Sequence, residues 1–164
     1  MKVCHWFQDD EVVAFPDIRP AAKYHFLISP REHIKDAKIL NPTQISLVDR
    51  LVEVGTKIVN EKIQADHAAE GKEVNVNEIP KLMGFHWPPF HSIAHLHLHV
   101  IAPADSMGFI SRTIFRPNSW WFVTVRIIIV NSWLLSYVNM RERYSLRLLY
   151  LIYSPAWICE GTSE

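Results

Sequence analysis

The chain has 164 residues, 49% of them apolar and 21% charged, and its seventeen basic and seventeen acidic side chains cancel. That length suits one domain with a sizeable core. A balanced charge offers no basic stripe for a phosphate backbone, so nucleic acid is disfavoured as a partner. Cys4 and Cys159 form neither a disulfide framework nor a CxxC ligand pair, which fits a reduced intracellular protein. The opening "MKVCHWFQDDEVVAF" has acidic residues where a secretory leader is apolar. Cytoplasm is the expected compartment, with the nucleus open to so small a protein.

The first predicted strand is "EVVAF", Glu11–Phe15, stopped by Pro16, with Asp17 and Pro20 suited to the turn beyond. A second, "KYHFLIS", puts Lys23, His25, Leu27 and Ser29 on one face and Tyr24, Phe26 and Ile28 on the other. Pro30 ends it, and "REH" at 31–33 opens a turn. Asn41, Pro42 and Gln44 supply a cap, an N-terminal proline and a capping-box partner. Apolar residues from Ile45 through Val48, Leu51, Gly55, Ile58, Val59 and Ile63 then recur near 3.6, which predicts a helix to about Asp66 lying on a sheet. Residues 67–78 read as a surface connection with room for a short edge strand. "KLMGFH" (81–86) and "IAHLHLHVIA" (93–102) are the next strands, separated by the turn that "WPPFHS" imposes. Short hairpins with one long helix predict an α+β domain built on an antiparallel sheet.

The run "HLHLHVI", His95–Ile101, carries the chemistry. On a strand, His95, His97 and His99 share one face and Leu96, Leu98 and Val100 the other. The leucines then anchor the back of the strand under the helix. Three roles stay open for the histidine face: plain exposed strand residues, a zinc site, or nucleophilic and anion-stabilising catalysis. Zinc requires tetrahedral convergence, and no cysteine lies nearby to add a soft ligand. A neutral imidazole is a competent nucleophile near pH 7, and a second imidazole can hold a phosphate oxygen. Ser92 adds a hydroxyl, and His25 a fourth imidazole if its strand lies beside 95–101.

"HLHLHVI" matches the alternating signature of the histidine triad superfamily, and "AFPDIRPAAKYHFLISPREHI" resembles that family's N-terminal sheet segment. "MGFHWPPFHSIAHLHLHVIAP" is similar to its nucleotide-binding protein 3 branch, whose relatives include the aprataxin catalytic domain. The resemblance covers roughly residues 5–124. It implies a histidine-triad-like fold with four to five strands and one long helix. It also implies that His97 is the nucleophile at the α-phosphorus of a nucleoside phosphoramidate, and that His99 contacts phosphate and leaving group. His95 would orient His97, with His25 as the supporting imidazole and Ser92 as a phosphate contact. Asp17 would bind the ribose hydroxyls, and Phe15, Ile18 and Leu27 would wall the adenine pocket. No metal and no cofactor are implied; the partners are a purine nucleotide or phosphoramidate and a second copy of the chain.

Three departures accompany the resemblance. The asparagine usual on the strand before the triad is absent from "LMGFHWPPF", where Gly84 and His86 stand instead. The N-terminal segment that completes the base pocket in relatives is shortened, so an open pocket is expected. Residues 125–164 do not follow the family and are expected to be an atypical apolar tail from an alternative transcript, helical or poorly packed. "WWFVTVRIIIVNSWLLSYV", Trp120–Val138, approaches the length of a membrane span, but Arg126 within it is costly in lipid. Membrane contact is therefore disfavoured but left open. The leading expectation is a hydrolase that releases AMP from adenosine 5'-phosphoramidates through a nucleotidyl-histidine. The alternatives are removal of adenylate from nucleic-acid ends and a catalytically impaired nucleotide-binding scaffold.

Overall fold

A computed structural model describes residues 7–89 and 93–129. Strands β1 (Phe7–Gln8), β2 (Val12–Pro16) and β3 (Tyr24–Pro30) precede helix α1 (Ile45–Ala69). Strands β4 (Leu82–His86) and β5 (Leu98–Ala102), a short helix α2 (Phe109–Ile114) and strand β6 (Phe122–Thr124) follow. The strands form one sheet in the order β1-β2-β3-β5-β4-β6, and every pairing is antiparallel. This is the expected α+β architecture with six strands. The two strands not anticipated, β1 and β6, span two and three residues, too few to show a period-two pattern.

Helix α1 begins where the capping residues place it. Asn41 Oδ1 accepts from Thr43 N at 2.9 Å, and Gln44 Oε1 accepts from Asn41 N at 3.2 Å. The box closes a single 3-10 turn, Pro42–Gln44, from which the α-helix continues. Its apolar stripe packs Leu51, Ile58, Val59 and Ile63 into one cluster with Phe26 and Ile28 of β3 and Leu98 and Val100 of β5. At Gly55 the helix approaches so closely that a Cβ would lie 2.7 Å from Val100 Cγ2. Helix α1 continues past the expected Asp66 to Ala69, and residues 70–81 form turns rather than an edge strand.

The opposite sheet face is covered by a smaller cluster in which Ile101 and Leu82 meet Phe115 and Phe122. Alternation therefore divides β5 as anticipated: Leu98 and Val100 face the helix, and His99 and Ile101 face the second cluster. The expected start of this strand is corrected. Its ladder begins at Leu98, and residues 93–97 lie before it. Pro30 ends the partner strand and has no N–H to donate there. Leu96 instead donates its N–H to Ile34 O at 2.7 Å, and its carbonyl accepts from Ser29 Oγ at 2.8 Å. The strand face that was to carry three histidines thus carries His99 alone.

Val125 and Ile128 are buried in the helix-side cluster, just past residue 124. The rest of the apolar tail, residues 130–164, lies outside the described residues. Among the described residues, no helix is long and apolar enough to cross a membrane.

Gly84 sets how closely β6 approaches β4. A Cβ there would lie 2.5 Å from Val123 O and 2.7 Å from the Phe122 ring. Gly84→Ala is expected to cost about 1–3 kcal/mol, because backbone and a buried ring must both move. Urea denaturation at unchanged slope reads that loss, and a wild-type midpoint would show that β6 yields freely.

Candidate active site

Four histidines meet on the sheet face away from α1. His25 reaches it from the start of β3, whose register sets His25 opposite Ile101 and Leu27 opposite His99. His86 ends β4, in a register that pairs Gly84 with His99. The His99 ring lies 4.9 Å from those of His86 and His97 and 5.2 Å from that of His25, centroid to centroid. Phe115 packs its ring within 5.3 Å of those of His25, His86 and His99, roofing the cluster with hydrocarbon.

The hydrogen bonds fix which nitrogen carries each proton. Ala21 N donates to His25 Nδ1 at 3.1 Å, so the proton of a neutral His25 sits on Nε2. That Nε2 lies 3.0 Å from His99 Nδ1, which accepts, leaving the proton of His99 on its own Nε2. His99 Nε2 is fully buried and has no partner among the described residues. A buried N–H without an acceptor is costly, so this donor is poised for a ligand. His97 Nδ1 donates to the carbonyl of His95 at 2.7 Å, which puts the His97 lone pair on Nε2. The His95 ring points elsewhere: Nε2 donates to Pro30 O at 2.8 Å, and Nδ1 lies 3.1 Å from His33 Nδ1. His95 thus touches His97 through its main chain.

Burial keeps the inner pair uncharged. Desolvation pushes the His25 imidazole down to about 4, against the pull of Asp17 and helped by like charge on His86 and His97. Desolvation also holds His99 well below its ordinary 6.5, reinforced by His97, His25 and His86. Both rings are therefore neutral near pH 7, and His99 acts as a neutral donor.

The remaining expected residues fall in different places. Asp17 stands at the edge of the cluster, with Oδ2 3.6 Å from His25 Nε2 and Oδ1 accepting from Arg19 N at 2.7 Å. Phe15 is half-buried and pairs across the sheet with buried Leu27, which pairs with His99, so all three share one cross-strand row. Ile18 is 93% exposed in the turn beyond Asp17. Ser92 lies outside the described residues. His97 lines a recess of about 10 Å³, room for about one water, with Lys35, Asp36, His86 and His95. Asp17 and His25 border a larger cavity of about 270 Å³ that extends to Lys23 and Lys62. Asp17, His25 and His99 also bring metal-ligand atoms within 4.8 Å of one another, a grouping different from the three triad histidines.

Sequence reasoning missed Phe115 and His33 and met His86 only as a replaced asparagine. Phe115 follows α2 at a distance in sequence that no local pattern bridges. His33 sits in the turn after β3, where it reads as an exposed loop residue.

An antiparallel sheet with one long helix, gathering linked imidazoles at "HLHLHVI", is the arrangement of the histidine-triad hydrolases. The chain belongs to the histidine triad superfamily. The family profile described as "Scavenger mRNA decapping enzyme C-term binding" matches residues 2–114. Adenosine 5'-monophosphoramidase HINT3 of Xenopus tropicalis is 42% identical over 117 residues, covering 71% of this chain and 69% of that protein. The HINT3 protein of Mus musculus is 42% identical over 118 residues, covering 72% and 65%. The chain therefore spans about two thirds of each, and these relatives represent the branch anticipated from the sequence. Among solved structures, a HIT family hydrolase from Legionella pneumophila superposes with a TM-score of 0.50 at 26% identity, over 62% of this chain and 81% of that one.

The expectation that nucleic acid is disfavoured is corrected. The aprataxin ortholog Hnt3, solved in complex with DNA, shares the fold with a TM-score of 0.54 at 23% identity, over 73% of this chain and 63% of that one. The aprataxin of Ciona intestinalis is 30% identical over 95 residues, covering 58% of this chain and 22% of that protein. Net charge sums over the whole surface and says little about a local phosphate site, so near-neutrality was a poor ground for exclusion.

The buried pair also sets a pH dependence of stability. Unfolded histidine titrates near 6.5, above the folded values of His25 and His99. Below about 6.5 the unfolded chain takes up protons that the fold refuses, so stability falls as pH drops toward 4. Each imidazole is expected to contribute a loss of up to about 1.4 kcal/mol per pH unit. Urea midpoints at pH 7 and pH 5 test this, and a midpoint that rises on acidification would show that these rings charge inside the fold.

Proposed function

We propose that the protein hydrolyses the P–N bond of adenosine 5'-phosphoramidates and releases AMP through a nucleotidyl-His97 intermediate. The observation that carries this reading is the 2.7 Å bond from His97 Nδ1 to His95 O, which presents the Nε2 lone pair as nucleophile. Support comes also from the HINT3 relatives, which are named for this activity.

In the first step His97 Nε2 attacks the α-phosphorus and the P–N bond breaks. Its electron pair leaves with the amine, which takes a proton from water. The new Nε2–P bond makes the His97 ring cationic, and the Nδ1–H bond to the His95 carbonyl strengthens as that charge develops. His99 Nε2–H donates to a phosphate oxygen. Neutral and already accepting at Nδ1, His99 stabilises the oxygen by hydrogen bonding rather than by giving up its proton. Water then attacks phosphorus, the P–Nε2 bond breaks, and AMP leaves with a proton lost to solvent. Asp17 binds the ribose hydroxyls, and Phe15 and Leu27 form the apolar wall for the base.

A second reading is favoured by the aprataxin relatives: the same intermediate would form if the adenylate came from a nucleic-acid end. An adenylated oligonucleotide offered beside adenosine 5'-phosphoramidate separates the two by their relative kcat/KM.

AMP release and a base-stable adenylylated histidine are expected from the wild type, with at least a ~100-fold loss in His97→Ala. Equal rates in the two proteins would remove His97 as nucleophile. A chelator is expected to leave the rate unchanged; a drop would point to the Asp17, His25 and His99 grouping as a metal site.

A further inference from the structure

The segment from Ser29 to Ile34, unused in the steps above, meets the triad at four points. Two hold the main chain of Leu96: Ser29 Oγ donates to its carbonyl at 2.8 Å, and Ile34 O accepts from its N–H at 2.7 Å. The other two hold the His95 ring at both nitrogens, through Pro30 O at 2.8 Å and His33 Nδ1 at 3.1 Å.

Only one proton arrangement satisfies the His95 ring when both histidines are neutral. A carbonyl can only accept, so His95 Nε2 bears the proton that reaches Pro30 O. The lone pair of His95 is then on Nδ1, and His33 must be the donor through its own Nδ1–H. The two rings stand 5.0 Å apart and are tilted by 56°. His95 makes no ladder bond, because β5 begins at Leu98. Its side chain adds to the Leu96 bonds a tie to the end of β3, and its carbonyl is what orients His97.

We propose that His33 is a positioning residue for the nucleophile. By donating to His95 Nδ1 it holds the residue whose carbonyl fixes the His97 tautomer and the aim of Nε2. The inference rests on His97 acting as nucleophile. His33 touches no reacting atom, so its effect falls on alignment in the transition state rather than on substrate binding. Its side chain is exposed, so replacing it opens no core cavity.

The test compares His33→Leu with His33→Asn in the full chain. Asparagine carries an amide N–H near the place of the imidazole Nδ1–H, and leucine carries no donor. His33→Leu is expected to lower kcat about fivefold with KM for adenosine 5'-phosphoramidate within about twofold, the scale of one hydrogen bond at a partly wet site. His33→Asn is expected to restore most of the lost kcat. Long-range proton–nitrogen spectra of the imidazoles read the same device without substrate. Wild type should show His33 and His97 protonated at Nδ1 and His95 at Nε2, and His33→Leu should mix the tautomers of His97. The proposal is overturned by a His33 proton on Nε2, by an unchanged His97 tautomer in His33→Leu, or by asparagine behaving like leucine with both variants folded. A wild type inert toward the phosphoramidate would end the proposed activity, while the spectra would still decide the role of His33.

Discussion

The 3.0 Å bond between His25 Nε2 and His99 Nδ1 ties the site to the fold. It joins two neighbouring strands beneath Phe115, where neither ring can easily hold a charge. Because Ala21 donates to the far nitrogen of His25, the chain of protons runs one way and ends at His99 Nε2. The main-chain N–H of Ala21, four residues before His25, would carry no chemistry alone. Here it decides the tautomer of a buried imidazole two bonds away.

The outer pair obeys a different constraint. His95 and His97 precede the ladder of β5; His95 is held by the Pro30 carbonyl and the His33 ring, and His97 by the carbonyl of His95. Pro30 is the cause: it closes its strand, removes a donor, and leaves a carbonyl that His95 takes up. The site thus combines a buried, neutral interior with a hydrogen-bonded rim that presents His97, the proposed nucleophile. Such a division suits phosphoryl chemistry, in which fixed donors meet developing charge and one group must attack in line.

Sequence patterning was most informative where the two faces of a strand meet different surroundings. The alternation of Tyr24, Phe26 and Ile28 against His25, Leu27 and Ser29 appears in β3 as anticipated, because helix α1 covers one face of the sheet. The capping box at Asn41 and Gln44 was legible for the same local reason, since its bonds span three residues. Charge balance misled: a total near zero seemed to disfavour nucleic acid, yet proteins that share this fold include one solved with DNA. A sum over the surface carries no information about where a phosphate contact would sit.

The sequence by itself determined the α+β class, the two faces of β3 and the helix stripe, and its histidine motif pointed to the candidate site. Each of these depends on periodicity within one element, which side-chain size and polarity encode directly. Tertiary structure alone decided that His95 turns to His33, that Phe115 roofs the imidazoles, and that the unpartnered proton lies on His99 Nε2. Those outcomes depend on contacts between residues far apart in the chain, in an interior where a neutral ring is retained because water is excluded.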